Sequence, residues 1–485
     1  MFSGQTTKKE KGIFTLITKN KSRLNINLPA TASIWYVAAN MISRGIAFLF
    51  TPLLTRMLPP EEYGIYSLYT SYMGIFTVIT TLEISGSAAY RGLSKFDGEE
   101  RHRFASSALG IQILLSASFF TLYMLFRSRV NGTTSLTTSL TVFLFIQVFI
   151  NSAQGIYFAK KRYAYDYKTV SLINILSGIL SPILSLVMIR LGVGGESRVI
   201  APLTVSAAFA VPIIYDLMKK GKRLYSGDVW KFILSISLPM LPHYLSLSVI
   251  AQSDKIIIAK MLGESAVGKY SVAYSAGFML SLLTGGLTLG LTPWMMRKLK
   301  SRDIEAIKDA LSAAASIICV LTLIFLAAVP EIFSFIAPRE YQEATPAVYP
   351  VSISVIFSFL GTLLTNCILY YDKPRLVLRN SSLSAAISIL SSLFLIRKFG
   401  YIGGAYSTLL SYFIFFVLNR FTCRKLAGES IPETKNTVKN ITLLLFFGSL
   451  LFILRFSLTA RIILIFAFIL IFTPEIKKCK SLISR

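Results

Sequence analysis

The sequence predicts an all-α, polytopic membrane protein of about fourteen transmembrane helices. Three observations carry this. The 485 residues are 54% hydrophobic, with a mean hydropathy of +0.62. Only 15% are charged, against about 25% in a soluble protein. Apolar runs of about 20 residues, enough to cross the hydrocarbon core as helices, recur along the whole chain, without the strict alternation of a membrane β-barrel.

Taken in order, the first 30 residues carry Lys8, Lys9, Lys11, Lys19, Lys21 and Arg23 but no apolar signal-peptide core, and read as a cytoplasmic tail. Helix 1 runs over about 31–57 and is stopped by Pro59 and Pro60. Helices 2 to 6 follow at about 63–90, 104–126, 136–159, 169–189 and 199–218. Helix 7, about 231–258, holds Pro239 and Pro242, which are expected to break it. Helices 8 to 12 are expected at about 267–296, 309–329, 347–371, 376–396 and 401–420. Residues 441–473 are too long for one span, and Arg455 and Arg461 mark a tight turn between helices at about 439–455 and 458–474.

Orientation follows from the basic residues. The net charge is +27, which in a soluble protein would suggest nucleic acid. Here the charge sits in short segments between apolar runs. With the N-terminus inside, 36 of the 50 Lys and Arg fall on the cytoplasmic side and 12 outside, with Arg44 and Lys255 left in the membrane. That asymmetry predicts two cytoplasmic termini and no nucleic-acid partner. The largest outside loop, about 330–349, has little room for the acids and arginines of an enzyme acting on lipid-linked sugars. The four cysteines are far apart in sequence with no CxxC, so neither a disulfide framework nor a metal site follows.

The chain repeats itself. TRMLPPEEYGIYSLYTSY (55–72) aligns without gaps on AKMLGESAVGKYSVAYSA (259–276), with Met57/Met261, Leu58/Leu262, Gly64/Gly268, Tyr66/Tyr270, Ser67/Ser271 and Ser71/Ser275 identical. Six helices separate the copies, an even number, so the repeats are parallel about an axis along the membrane normal. The expected organisation is a cytoplasmic tail (1–30), an N-lobe of helices 1–6 (31–220), a C-lobe of helices 7–12 (221–425), and two added helices with a cytoplasmic C-terminal tail (426–485). Two like-oriented lobes around a cavity is the layout of an alternating-access transporter.

Polar residues inside the spans are the candidate site, because a charge at a helix centre costs about 2.5–3.5 kcal/mol unless it meets a cavity or a partner. Asn40, Arg44, Thr51 and Thr55 share a face of helix 1. Gln147, Asn151 and Gln154 line helix 4 at i, i+4, i+7. His243, Ser246, Ser253 and Asp254 fall near one face of helix 7, beside Lys255, and Glu83 lies toward the cytoplasmic end of helix 2. Arg44, Asn40, Gln147, Asn151, His243, Asp254 and Lys255 are the candidates for substrate contact, with Arg44 forking onto phosphate oxygens. Glu83 and Asp254 are the candidates for ion coupling. Plainer roles stand beside these. Arg44 can pair with Glu83, Lys255 can snorkel from the outer interface, His243 can be a packing histidine, and the helix 4 amides can glue helices together.

RGIAFLFTPLLTRMLPPEEYGIYSLY and SDKIIIAKMLGESAVGKYSVAYS resemble the polysaccharide-flippase branch of the MOP superfamily, the Wzx-type O-antigen and oligosaccharide flippases. The resemblance covers about 31–425 and implies a MATE-like fold in a bacterial inner membrane. It implies a flippase for an undecaprenyl-diphosphate-linked oligosaccharide, such as an O-antigen unit, moved from the cytoplasmic to the periplasmic face. Its implied partners are that polyisoprenyl-diphosphate-linked oligosaccharide, membrane lipid and other polysaccharide-assembly proteins. A cation gradient is the implied drive, and two helices beyond twelve depart from the commoner pattern. No nucleophile–base pair, metal cluster or phosphate-binding glycine loop supports an enzyme, and no cofactor is expected. The rival readings are a multidrug/cation antiporter of the same fold and a membrane polysaccharide polymerase.

Overall fold

Each predicted span has a helical counterpart in the computed structural model, which describes residues 35–36, 38–43, 45–46, 48–428, 431 and 434–469. Arg44 and both tails lie outside the described residues. Helix 1 is α1, helical at its described positions within 35–57. Helix 2 is α2 (Pro60–Thr81), continued by the short α3 (Ile84–Ser87) and α4 (Ala89–Lys95). Then come α5 (Glu99–Leu125), a short α6 (Arg127–Thr134), α7 (Thr138–Tyr163), α8 (Tyr167–Arg190), α9 (Ser197–Gly221) and α10 (Gly227–Leu262). Helix 8 is α11 (Glu264–Phe278) with α12 (Ser281–Lys300). The remainder are α13 (Ile304–Ile336), α14 (Thr345–Tyr370), α15 (Pro374–Phe399), α16 (Tyr401–Ala427), α17 (Thr434–Ile453) and α18 (Leu458–Ile469). Among the described residues nine helices are long and apolar enough to span a bilayer, and the pair α11–α12 makes a tenth. The chain is therefore an all-α, multi-pass membrane protein.

Three elements differ from expectation. Helix 7 does not break: α10 runs through Pro239 and Pro242. Its flanking turns stay helical, and Ser246 Oγ donates to the Pro242 carbonyl at 2.6 Å within the same helix. Helix 2 does break, at Leu82 (φ 51°) and Glu83 (φ 46°), both left-handed. Such a residue costs about 1–2 kcal/mol, and local bonds hold the break in place. Glu83 N donates to Thr81 Oγ1 at 3.3 Å, and Ser87 Oγ donates to the Glu83 carbonyl at 2.8 Å while meeting Ser237 Oγ of α10 at 2.8 Å. Helix 8 bends by 43° between α11 and α12.

The turns at the lysine- and arginine-rich end, here the basic end, are built on one plan. Asp166 caps α8 and accepts from Lys161 Nζ at 2.8 Å. Asp303 caps α13 and accepts from Lys298 Nζ at 2.6 Å. The Lys298 bond, helped by the Ala306 N–H, holds the Asp303 carboxyl below the usual carboxylate range. At Asp166 burial pushes upward, but the bonds from Lys161 and Thr169 outweigh it, and its carboxyl too is held low.

The repeated segments meet each other. A Cβ added to Gly64 of α2 would run into the Glu264 carbonyl of α11, and one added to Gly268 would run into the Pro60 carbonyl of α2. On the 204-residue offset Gly64 matches Gly268 and Pro60 matches Glu264, so the two contacts are one contact made twice, about a local two-fold. Only glycine allows backbones this close. One large core extends from this crossing through α10, α11, α13, α14 and α16, and a smaller one joins α4, α5, α7, α9 and the start of α10. The α17–α18 hairpin packs on the large core through Leu444, Phe447, Leu451 and Phe468. Arg461, placed at a turn by the sequence reading, is instead buried in α18. Its guanidinium bonds Glu331 of α13 at 2.7 Å and donates to the Ala327 carbonyl.

Gly268→Ala is expected to lower stability by about 1–3 kcal/mol, the usual effect of overpacking. Gly285→Ala, whose added Cβ would meet nothing within 4 Å, should leave the unfolding temperature in detergent nearly unchanged. Equal loss in both variants would contradict the tight crossing.

Candidate transport cavity

A cavity of about 730 Å³ lies between α1, the start of α4, the α7–α8 turn, α12 and α14. Its two walls differ. One is aromatic and cationic, made by Tyr36, Tyr90, Tyr165 and Arg162. The other is made of hydroxyls and glycines, including Thr284, Gly285, Gly286, Thr288, Ser358 and Thr362. Arg162 is the one charged residue among the described lining residues, and no carboxylate lines it. The guanidinium of Arg162 sits 5.6 Å from the Tyr36 ring centroid. Arg162 Nε and Tyr36 Oη are buried with no protein hydrogen-bond partner, a costly condition in a low-dielectric site. The lining residues of the α7–α8 turn belong to the basic end, so the cavity lies toward that side.

The opposite end is latched. Thr55 Oγ1 at the end of α1 donates to the Ile336 carbonyl at 2.7 Å, and Arg56 donates to the Phe335 carbonyl at 3.0 Å. Tyr341 Oη donates to the Leu58 carbonyl at 3.0 Å, and Lys269 pairs with Glu343 at 2.9 Å. The first three of these bonds satisfy carbonyls at the ends of α1 and α13 that have no intrahelical donor. Arg198 of α9 stacks on Tyr63 and Tyr66 of α2, 4.2 and 3.8 Å from their centroids.

The predicted site residues scatter. Asn40 lines the cavity, its Nδ2 donating to the Tyr36 carbonyl at 2.8 Å. Gln147, Asn151, His243, Asp254 and Lys255 are not among its lining residues. Gln147 donates to Asn151 at 2.7 Å. His243 Nδ1 meets Ser381 Oγ of α15 at 3.0 Å, so its face of α10 looks into a helix seam. Asp254 is 1% exposed. Its Oδ2 accepts from Tyr270 Oη and from Thr408 Oγ1 of α16 at 2.9 Å, and its Oδ1 accepts from Lys255 N at 2.7 Å. Lys255 bonds Gln252 of its own helix at 3.2 Å and covers the Tyr274 ring of α11 at 4.2 Å. Glu83 sits at the left-handed break in helix 2. Arg162 was missed because it stands in a run of topology-setting lysines, where one more cation carries no signal. Cys367 and Cys423, far apart in sequence, meet with sulfurs 2.8 Å apart as buried free thiols. Among the described residues no cluster of His, Cys, Asp or Glu could hold a metal ion.

Comparison with known proteins gives consistent matches. Residues 30–299 match the family described as polysaccharide biosynthesis protein. The chain is 21% identical over 367 residues to an Lsg locus putative protein of Haemophilus influenzae, covering 74% of this chain and 89% of that one. It is 20% identical over 402 residues to a probable low-salt glycan biosynthesis flippase of Haloferax volcanii, covering 80% and 82%. Among solved structures, the lipid II flippase MurJ in an inward closed conformation superposes with a TM-score of 0.63 at 15% identity, over 92% of this chain and 98% of that one. An inward-facing MATE multidrug transporter of the MOP superfamily gives 0.64 at 14% identity, over 83% and 98%. At these identities the structural likeness speaks for the fold.

Tyr270→Phe removes a donor from the buried Asp254 carboxylate and is expected to destabilise by about 1–3 kcal/mol. Tyr165→Phe, at a half-exposed ring, should not. Thermal unfolding of the two variants in one detergent checks this, and an unshifted Tyr270→Phe would refute the network.

Proposed function

Because the chain belongs to the polysaccharide biosynthesis protein family, we propose that it is a flippase. It carries a polyisoprenyl-diphosphate-linked oligosaccharide, such as an O-antigen unit, from the cytoplasmic to the periplasmic face of a bacterial inner membrane by alternating access. The observation that carries this reading is the two-walled cavity. A diphosphate suits Arg162, whose planar fork can donate two parallel bonds to phosphate oxygens. Sugar rings suit the tyrosine faces and the hydroxyl wall. The lipid tail can stay in the bilayer while the polar head crosses, so no covalent step is needed. Arg44, on the Asn40 face by helical spacing, is proposed as a second phosphate contact.

The latch at the opposite end and the place of the cavity toward the basic end support a cargo loaded from the cytoplasm. Asp254 and Glu83 are proposed for ion coupling, each a carboxylate within a span, where charge is tolerated for function or with a partner. The rival antiporter reading is disfavoured by one observation: a cavity for organic cations would call for a carboxylate, and the described lining offers an arginine.

The test is translocation of a lipid-linked oligosaccharide in proteoliposomes, read by the access of a membrane-impermeant glycosidase. Arg162→Ala is expected to slow flipping at least about tenfold, the worth of a charge-assisted hydrogen bond, with protein yield unchanged. Arg162→Lys should retain an intermediate rate. Uptake of a cationic dye without lipid flipping would reverse the assignment.

Paired cysteines at Thr55 and Ile336 should stop transport when oxidised and release it on reduction. Full transport by the cross-linked protein would show that the latch does not open during the cycle.

A further inference from the structure

A second cavity, of about 480 Å³, opens at the basic end between residues 99–103 of α5 and residues 219–223. Five of its lining residues are Lys or Arg and two are Glu. Basic segments beside membrane helices are ordinary, and most are simply solvated. This one is built. Gly221 is jammed against Ser106 and the His102 carbonyl, and Gly110 against the Leu224 carbonyl, so neither position has room for a Cβ. Ser106 Oγ donates to the Arg223 carbonyl at 2.7 Å, and Trp230 Nε1 donates to the Ser107 carbonyl at 3.0 Å. The segment joining α9 to α10 is thereby strapped along α5. Lys222 ends α9 in the left-handed conformation, φ 60°, a position where a side chain is disfavoured.

The charges there are incompletely matched. Arg103 pairs with Glu100 at 3.2 Å and Asp228 at 3.4 Å, and Lys220 pairs with Asp216. The ammonium of Lys160, behind the cavity, stays 3.9 Å from Asp216. Among the described residues Lys219, Lys222 and Arg223 meet no carboxylate within 4.0 Å. Lys160 Nζ, His102 Nδ1 and Arg103 Nε are buried without a hydrogen-bond partner. Lys160 is 9% exposed. A fixed backbone, three exposed cations without a carboxylate partner and buried polar nitrogens without a hydrogen bond together describe a site for an anion.

We propose that this cavity binds a phosphate group, that of an anionic lipid headgroup in the leaflet at the basic end. Phosphate fits because its several oxygens can accept from lysine and arginine at once. The lipid source is favoured by the flanking rings of Tyr215 and Tyr225, 64% and 67% exposed, since tyrosine collects at headgroup depth. A bound phosphate would tie Lys222 and Arg223 to α5 and stiffen the link between α9 and α10. The site shares no lining residue with the central cavity.

The experiment places the purified full chain in phosphatidylcholine nanodiscs and titrates fluorescent phosphatidylglycerol, with inorganic pyrophosphate as a second ligand. Lys222→Asn with Arg223→Ser removes two exposed cations, and asparagine tolerates the left-handed backbone. Arg424→Ser with Lys425→Ser removes the same charge elsewhere at the basic end. Phosphatidylglycerol binding should weaken roughly fivefold for each cation removed at 222 and 223, the worth of one basic side chain near an anionic leaflet. The 424/425 pair should keep wild-type binding. Unfolding temperatures of both pairs check that each is folded, and the single variants replace a pair that is not. Equal weakening by the two pairs would mean a diffuse field and overturn the site, as would no preference for phosphatidylglycerol over phosphatidylcholine with no pyrophosphate bound. Pyrophosphate binding without that preference would overturn the lipid source and assign the cavity to a soluble phosphate compound.

Discussion

The reciprocal crossing of α2 and α11 is the constraint on which the architecture depends. Two backbones touch because Gly64 and Gly268 carry no side chain, and each glycine faces the carbonyl four residues before its counterpart. In a bilayer, helices gain little from hiding apolar surface from one another, so close backbone packing is a main source of association. The large core grows outward from this contact. At the basic end the cavity separates α1, α4 and the α7–α8 turn from α12 and α14. The molecule is thus held backbone to backbone at the crossing, with a cavity at the basic end.

Around that crossing the two matched segments differ in the charges they meet. Tyr66 and Tyr270 are matched positions. Tyr66 lies under the Arg198 guanidinium, whereas Tyr270 donates to the Asp254 carboxylate. An aromatic face receives a cation and a phenol hydroxyl receives an anion, so one residue type serves opposite partners. The adjacent Asp254 and Lys255 are accommodated in the same terms. The two side chains point apart, Asp254 into the seam with α11 and α16, Lys255 toward Gln252 and the Tyr274 ring. Each is accommodated by its own neighbours.

Much of the fold was legible because its signals are local or periodic. Apolar run length gave the spans, and the ungapped repeat pointed to Gly64 and Gly268. Pro239 and Pro242 misled, since the local cost of proline is outweighed where a long helix is packed along its length. The break at Leu82 and Glu83 was invisible, because no glycine or proline marks it and the bond from Ser87 to Ser237 that helps hold it is long-range. The site was less legible than the fold. Polarity within a span selected Asn40, which lines the cavity, but the same signal selected His243 and Asp254, which face helix seams. Arg162 carried no such mark. Which face of a helix meets a cavity is decided by its neighbours, and a single sequence does not name them.

The last three turns of α13 serve two partners at once. The Phe335 and Ile336 carbonyls receive Arg56 and Thr55 from α1, while Ala327 and Glu331 hold Arg461 of the α17–α18 hairpin. The hairpin and the latch are therefore mechanically in series, like a pointer fixed to the shaft of a valve. Any tilt of α13 that parts the latch carries the hairpin with it. Residues 456–458, at the exposed tip of that hairpin, offer a position from which an attached dye can report the gate while leaving the cavity untouched.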